Sequence, residues 1–240
     1  MHIYDFSKYS SFKKDYLTID RKPFFELGAE HIGKDDKIIL DIGSGEGDFF
    51  LYLKGKGVPA NKIYLLDGNR RTVEKNKELT ENSIFYLAPE KLPFDDRSVD
   101  LIHISHLFDH IWVNHIYEFL QEINRVLRPG GTLVISTPLL WPNFYDDLTH
   151  TKPYNPYVFY KYFVHQGRHS HFDKIDGNYT VANLVYRYYE LPLDEGWSST
   201  IPGIDFFFIS FRRVLRKLSI KRLRKNGYTL VLKKDNEPVV

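Results

Sequence analysis

The chain has 240 residues, 42% of them hydrophobic and 16% aromatic, with 33 Lys and Arg against 31 Asp and Glu, a globular composition long enough for one α/β core. It contains no cysteine, which excludes disulfides, thiolate zinc sites and cysteine nucleophiles, including the usual route to cytosine C5 methylation. No apolar stretch reaches membrane-spanning length, and the opening M-H-I-Y-D-F-S-K-Y has neither the basic region nor the apolar core of a signal peptide, so a cytoplasmic protein is expected.

Residues 1–36 carry Tyr4, Phe6, Tyr9, Phe12, Tyr16, Phe24 and Phe25. They are expected to form an N-terminal extension, either a lid that excludes water or a helix packed on the sheet. From residue 37 to 240 the chain is expected to be one domain. Ile38, Ile39, Leu40 and Ile42 make an apolar run too short for a helix, which reads as a strand buried on both faces. Gly43, Gly45 and Gly47 follow, and glycine there lets the backbone turn sharply and approach a ligand closely. The spacing is G-x-G-x-G with Asp41 just before it, unlike the G-x-G-x-x-G of dinucleotide sites. An acid beside the glycines repels a diphosphate but suits a ligand with an ammonium group.

Helix 46–55 leads to a second strand, 63–67, ending in Asp67. A carboxylate there is placed to accept both hydroxyls of a ribose. Helix 70–79, strands 83–87 and 99–105, helix 113–127 and strand 132–137 continue the alternation, which predicts a doubly wound, Rossmann-like parallel sheet. Pro129-Gly130-Gly131 is expected to end the helix. An insertion around 138–175 is irregular and aromatic, with a helical segment from 154 to 167. A strand over 179–191, a long helix over 204–225 and a last strand over 228–233 close the chain.

Four ordered stretches, L-D-I-G-S-G-E-G, L-L-D-G-N, L-P-F-D-D-R-S-V-D-L-I and E-I-N-R-V-L-R-P-G-G-T-L-V-I-S-T-P, together with D-H-I at Asp109 to Ile111, resemble the class I S-adenosylmethionine-dependent methyltransferases. The resemblance implies a mostly parallel seven-stranded sheet with an antiparallel last strand. It also implies S-adenosylmethionine as cofactor, with Asp41, Gly43 and Gly45 at its methionine part, Asp67 and Gly68 at its ribose, and Ser105 at its methyl end. One departure stands out: relatives often read D-A-E-x-L-P-F where this chain has A-P-E-K-L-P-F. The acid expected at the adenine amino group is therefore Ala88, and Pro89 removes a backbone donor.

Imidazole can take a proton near neutral pH, which makes His110 and His150 the candidate general bases for a hydroxyl acceptor. His103 and His115 read as structural or exposed. His150 lies in D-D-L-T-H-T-K-P-Y, which resembles a D-D-x-T-H-x-x-P-Y-T pattern of methyltransferases from polysaccharide gene clusters. Asp146, Asp147 and Tyr154 are accordingly the candidate substrate contacts. Asp146, Asp147 and His150 also offer oxygen and nitrogen ligands to a cation, but the local set is incomplete and no metal is expected.

The 204–225 segment holds eight of the 33 basic residues and no acid between Arg212 and Lys225. As a basic amphipathic helix it is expected to pack on the sheet, to touch the inner face of an anionic membrane, or to follow an RNA backbone. The expected function is methyl transfer to an oxygen of a small-molecule or carbohydrate acceptor, including a lipid-linked glycan. An RNA methyltransferase and a non-catalytic protein on the same fold are the alternatives. The polar residue, P-P and aromatic usual for base methylation is replaced here by S-H-L-F.

Overall fold

The computed structural model describes residues 16–17, 21–165, 173–191 and 222–236. Its strands are β1 (Tyr16–Leu17), β2 (Ile39–Ile42), β3 (Ile63–Asp67), β4 (Ser83–Phe85), β5 (Val99–Ser105), β6 (Leu127–Pro138), β7 (Tyr179–Leu191) and β8 (Arg222–Lys234). The main helices are α1 (Lys22–Ala29), α2 (Asp48–Gly55), α3 (Arg70–Asn76), α4 (Ile116–Val126) and α5 (Pro156–Phe159). They form one eight-stranded sheet in the order β1-β7-β8-β6-β5-β2-β3-β4. Only β8 runs against its neighbours, β6 and β7. The expected doubly wound sheet with a reversed last strand is therefore present, and the two-residue β1, paired in parallel with Arg187 and Tyr188 of β7, raises the count from the expected seven to eight.

The two-residue period of each strand sorts side chains between two layers. On one face Leu40, Ile42, Ile102, Ile104, Leu133 and Ile135 meet α4, whose Ile116, Phe119, Leu120, Ile123 and Val126 repeat at helical spacing. On the other, Ile39, Ile63, Leu65, Leu101 and Val134 meet Phe24, Phe25 and Leu27 of α1 and Phe49, Phe50 and Leu53 of α2. The extension ahead of residue 37 thus contributes α1 as a helix packed on the sheet.

Two expectations need correction. Helix α4 ends at Val126, one residue from the expected 127, but β6 begins at Leu127 rather than at 132, ahead of the Pro-Gly-Gly expected to separate the two. Its register against β5 jumps between Val99 and Leu101, so the Pro129-Gly130-Gly131 stretch, with Gly130 at φ 73°, is an irregularity at the head of a strand. The long C-terminal helix is not helical at its end. Arg222, Arg224 and Lys225 belong to β8, pairing with Leu191, Tyr189 and Tyr188, because a strand partner satisfies their backbone and Lys225 Nζ sits 3.6 Å from the Tyr186 ring centroid. Residues 204–221 lie outside the described residues, and with them most of the proposed membrane-facing helix. Among the described residues no helix is long and apolar enough to cross a membrane.

Candidate functional site

The parallel strands β2, β3, β4 and β5 end together, and the glycine turn crosses that edge. Gly43, Gly45 and Gly47 have φ of 75°, 51° and 77°, angles that β-carbons disfavour. A Cβ on Gly47 would lie 2.9 Å from Leu79 Cδ1, whereas one on Gly45 would meet nothing within 4 Å. Gly47 is thus tied to packing, and Gly45 lies open to an approaching ligand. Across the turn, Asp67 Oδ2 accepts the Gly45 amide at 2.9 Å and Oδ1 accepts the Asn69 amide at 2.8 Å. The N-cap of α3 is Asn69, whose side chain accepts from the Arg71 amide. Asp67 is therefore free of the capping role, and its carboxylate keeps lone pairs for two more donors such as a pair of hydroxyls.

A cavity of about 200 Å³ opens here, lined by Gly43, Asp67, Gly68, Tyr86, Ala88, Leu107 and His110 among others. This position, outside the carboxyl ends of parallel strands, is where open α/β sheets bind ligands. The residues fit a nucleoside at its ribose, through Asp67, and at a flat apolar ring, through Ala88 and Leu107. No side-chain carboxylate replaces the acid missing at Ala88 among those lining residues. Leu87 and Trp112 stand at the mouth, 46% and 73% exposed.

At the far side of His110 the chain builds a cluster of one carboxylate and two imidazoles. Asp109, in a short 3-10 turn after β5, is 0% exposed. Neither of its carboxylate oxygens accepts a hydrogen bond from another of the described residues. Its Oδ2 lies 3.2 Å from His150 Nε2 and 3.6 Å from His110 Nε2. Burial pushes the Asp109 carboxyl above its ordinary value, against the pull of both histidines. His150 comes from the loop after β6; it stacks on Phe144 at 4.5 Å and its Nδ1 donates to the Phe144 carbonyl at 2.5 Å. Thr149 Oγ1 donates to Asp147 Oδ1 at 2.7 Å and, at 2.9 Å, meets His110 Nδ1. The hydroxyl proton being committed to Asp147, it is His110 Nδ1 that donates to Thr149. Both rings therefore donate from Nδ1, and the Nε2 atom of each faces Asp109.

The remaining candidates lie elsewhere. Asp41 is 2% exposed and its Oδ1 meets His103 Nδ1 at 2.7 Å, on the α1 and α2 face, where His103 stacks on Phe49 at 3.9 Å. Ser105 shares that strand face and lines a separate small recess with Arg21, Phe24, His106 and Arg187. Tyr154 is buried against Phe159, and its backbone oxygen accepts from Tyr228; it belongs to the core. Asp147 is exposed and held below the ordinary carboxylate range, chiefly by the Thr149 side chain and amide. Asp146 is exposed at the end of a one-turn helix. Sequence reasoning passed over Asp109 and Thr149, although D-H-I and D-D-L-T-H place each beside a histidine that it did select.

Residues 40–135 match the family model described as a methyltransferase domain. The sheet has the fold of the class I methyltransferases. Over 116 residues the chain is 33% identical to a ubiquinone/menaquinone biosynthesis C-methyltransferase of Neisseria meningitidis, covering 46% of each protein. It is also 33% identical over 109 residues to a probable methyltransferase of Arabidopsis thaliana, covering 45% of this chain and 18% of that one. The chain thus spans less than half the length of these curated relatives. Among solved structures, a SAM-dependent methyltransferase from Archaeoglobus fulgidus superposes with a TM-score of 0.56 at 20% identity, over 90% of this chain and 95% of that one. The YcgJ protein of Bacillus subtilis gives 0.57 at 15% identity, over 89% and 98%. Both likenesses are of fold.

Proposed function

We propose that this methyltransferase domain transfers a methyl group from S-adenosylmethionine to an oxygen of a small-molecule or carbohydrate acceptor. The observation that carries the reading is a single cavity lined by Gly43, by Asp67, which holds the Gly45 amide, and by His110, whose ring packs against His150. S-adenosylmethionine supplies an electrophilic methyl on sulfur, so the chain has chiefly to position the acceptor and remove its proton. Asp67 would accept the ribose hydroxyls, and Gly45 would admit the methionine part along the turn. At the acceptor end, the lone pair on His110 Nε2 or His150 Nε2 would take the hydroxyl proton while the O–C bond forms and the S–C electron pair returns to sulfur. The exposed carboxylates of Asp146 and Asp147 lie on the same loop as His150, as suits an acceptor rich in hydroxyls.

A second reading is favoured by the apolar mouth. Leu87 and Trp112 are exposed there, and the Neisseria relative is named as a C-methyltransferase, which together suit methylation of a carbon on an apolar ring. Calorimetry with S-adenosylmethionine tests the cofactor: wild type should bind, and no heat at saturating concentration would end the reading. Incubation with labelled S-adenosylmethionine and either a glycan extract or a phenolic quinol, followed by mass spectrometry of the linkage, separates O- from C-methylation.

A further inference from the structure

Two imidazole rings and one buried carboxylate come together beside the cavity. The Nε2 atoms of His110 and His150 and a carboxylate oxygen of Asp109 all lie within 4.8 Å of one another. Their separations from Asp109 Oδ2, 3.6 and 3.2 Å, bracket the edge of about 3.3 Å expected between ligands of a tetrahedral site with bonds near 2.0–2.1 Å.

The geometry points to a site for a first-row divalent cation of the zinc, cobalt or iron(II) type, held by Asp109, His110 and His150 beside the cavity that His110 lines. Two features distinguish it from a chance meeting of polar groups. First, Asp109 is fully buried and its oxygens accept no hydrogen bond from another of the described residues, so the imidazole nitrogens at 3.2 and 3.6 Å are what face it; a buried carboxylate is costly unless something cationic joins it. Second, each ligand histidine donates its other ring proton to an oxygen, His150 to the Phe144 carbonyl and His110 to Thr149, itself anchored by Asp147. That is the outer shell by which proteins fix the tautomer and aim of metal-binding imidazoles. The donor set of two nitrogens and one oxygen suits borderline cations better than magnesium or calcium.

Among the described residues three protein ligands come together, which leaves at least one position for an oxygen of the acceptor or for water, as in catalytic rather than structural sites. The role of the site rests on the methyl-transfer reading; its existence does not. If the cation is there, the imidazoles act on an acceptor hydroxyl through the metal, which lowers the pKa of the bound oxygen and lets its proton leave to water before the methyl arrives.

The test uses the full chain, stripped with a chelator and titrated with Co²⁺ while visible absorption is recorded, with Zn²⁺ content measured separately by mass spectrometry. One equivalent of Co²⁺ should bind with the absorption of a four- or five-coordinate ion. His110→Gln and His150→Gln should each abolish that spectrum, and Thr149→Val, which removes only an outer partner, should weaken Co²⁺ binding roughly tenfold to a hundredfold, with Thr149→Ser restoring it. Absence of stoichiometric Co²⁺ and Zn²⁺, or a spectrum unchanged in both histidine variants, would overturn the site. Calorimetry with S-adenosylmethionine on the metal-free chain keeps the two readings apart. Cation without nucleoside binding ends the methyltransferase reading and leaves the site, and the reverse leaves the imidazoles as bases.

Discussion

Three glycines in one turn have left-handed backbones, but only some of them bear on a ligand. Gly47→Ala combines an unfavourable φ, worth about 1–2 kcal/mol, with a contact to Leu79, so its expected effect is on the denaturation midpoint. Gly45→Ala has the same backbone penalty with no contact within 4 Å. Its added loss should fall on S-adenosylmethionine affinity, and calorimetry beside urea denaturation distinguishes the two variants. Asp67→Ala should weaken the nucleoside by tenfold or more while leaving the melting temperature close to wild type, since charge-assisted hydrogen bonds contribute about 1.5–3 kcal/mol and the amides it releases are exposed. His106 offers a pH signature. It has φ 52°, lies against Arg187 and is pushed down to about 3, first by burial and then by the Arg187 charge. A folded value below the unfolded one means that the unfolded chain binds the proton more readily, so stability is full above the ordinary histidine value and falls as pH drops from about 6.5 toward 3. His106→Asn, which tolerates the left-handed backbone, should flatten that part of the stability profile measured by urea denaturation.

At the scale of elements, the amino ends of the strands are tied by charge as their carboxyl ends are opened for ligand. Asp100, at the start of β5, accepts the amides of Lys37 and Ile38 at 2.8 and 2.9 Å and pairs with Arg128, which also meets Asp36 at 3.1 Å. One carboxylate thereby joins the entry to β2, the head of β5 and the irregular start of β6. Burial pushes Asp100 upward, but the two amides and the guanidinium outweigh it and hold the group below its ordinary value. Its contribution is therefore present above the ordinary aspartate value and lost as pH falls through the lowered one. Asp100→Asn should cost about 2 kcal/mol at pH 7, and the gap from wild type should narrow when denaturation is repeated near pH 3.

Across the whole molecule, the reversed strand β8 closes the sheet between β6 and β7, and Leu230, Val231 and Leu232 are all 0% exposed. Leu232→Ala should cost about 3 kcal/mol and lower the melting temperature by roughly 10 °C, whereas Leu223→Ala, at a residue 47% exposed on the same strand, should change it little. The loss should be cooperative, because β8 is shared by both of its neighbours and cannot open without exposing their faces.

What the chain's own order of residues determined was the run of strands and helices. Apolar segments of strand length at 39–42, 63–67, 99–105 and 179–191, separated by glycine turns and an amphipathic helix, dictate an α/β sheet because backbone groups and apolar faces must both be satisfied. It also determined that Gly43, Gly45 and Asp67 meet at the carboxyl ends of parallel strands. Tertiary structure alone decided which face each side chain took. Asp41 and Ser105 sit at strand ends, as expected, yet the two-residue period of their strands turns both toward α1 and α2. It decided too that Asp109 and His110 should meet His150 and Thr149 from about forty residues away. Local spacing gives the position of an element's end, whereas a site built from two loops depends on how the sheet brings those ends together.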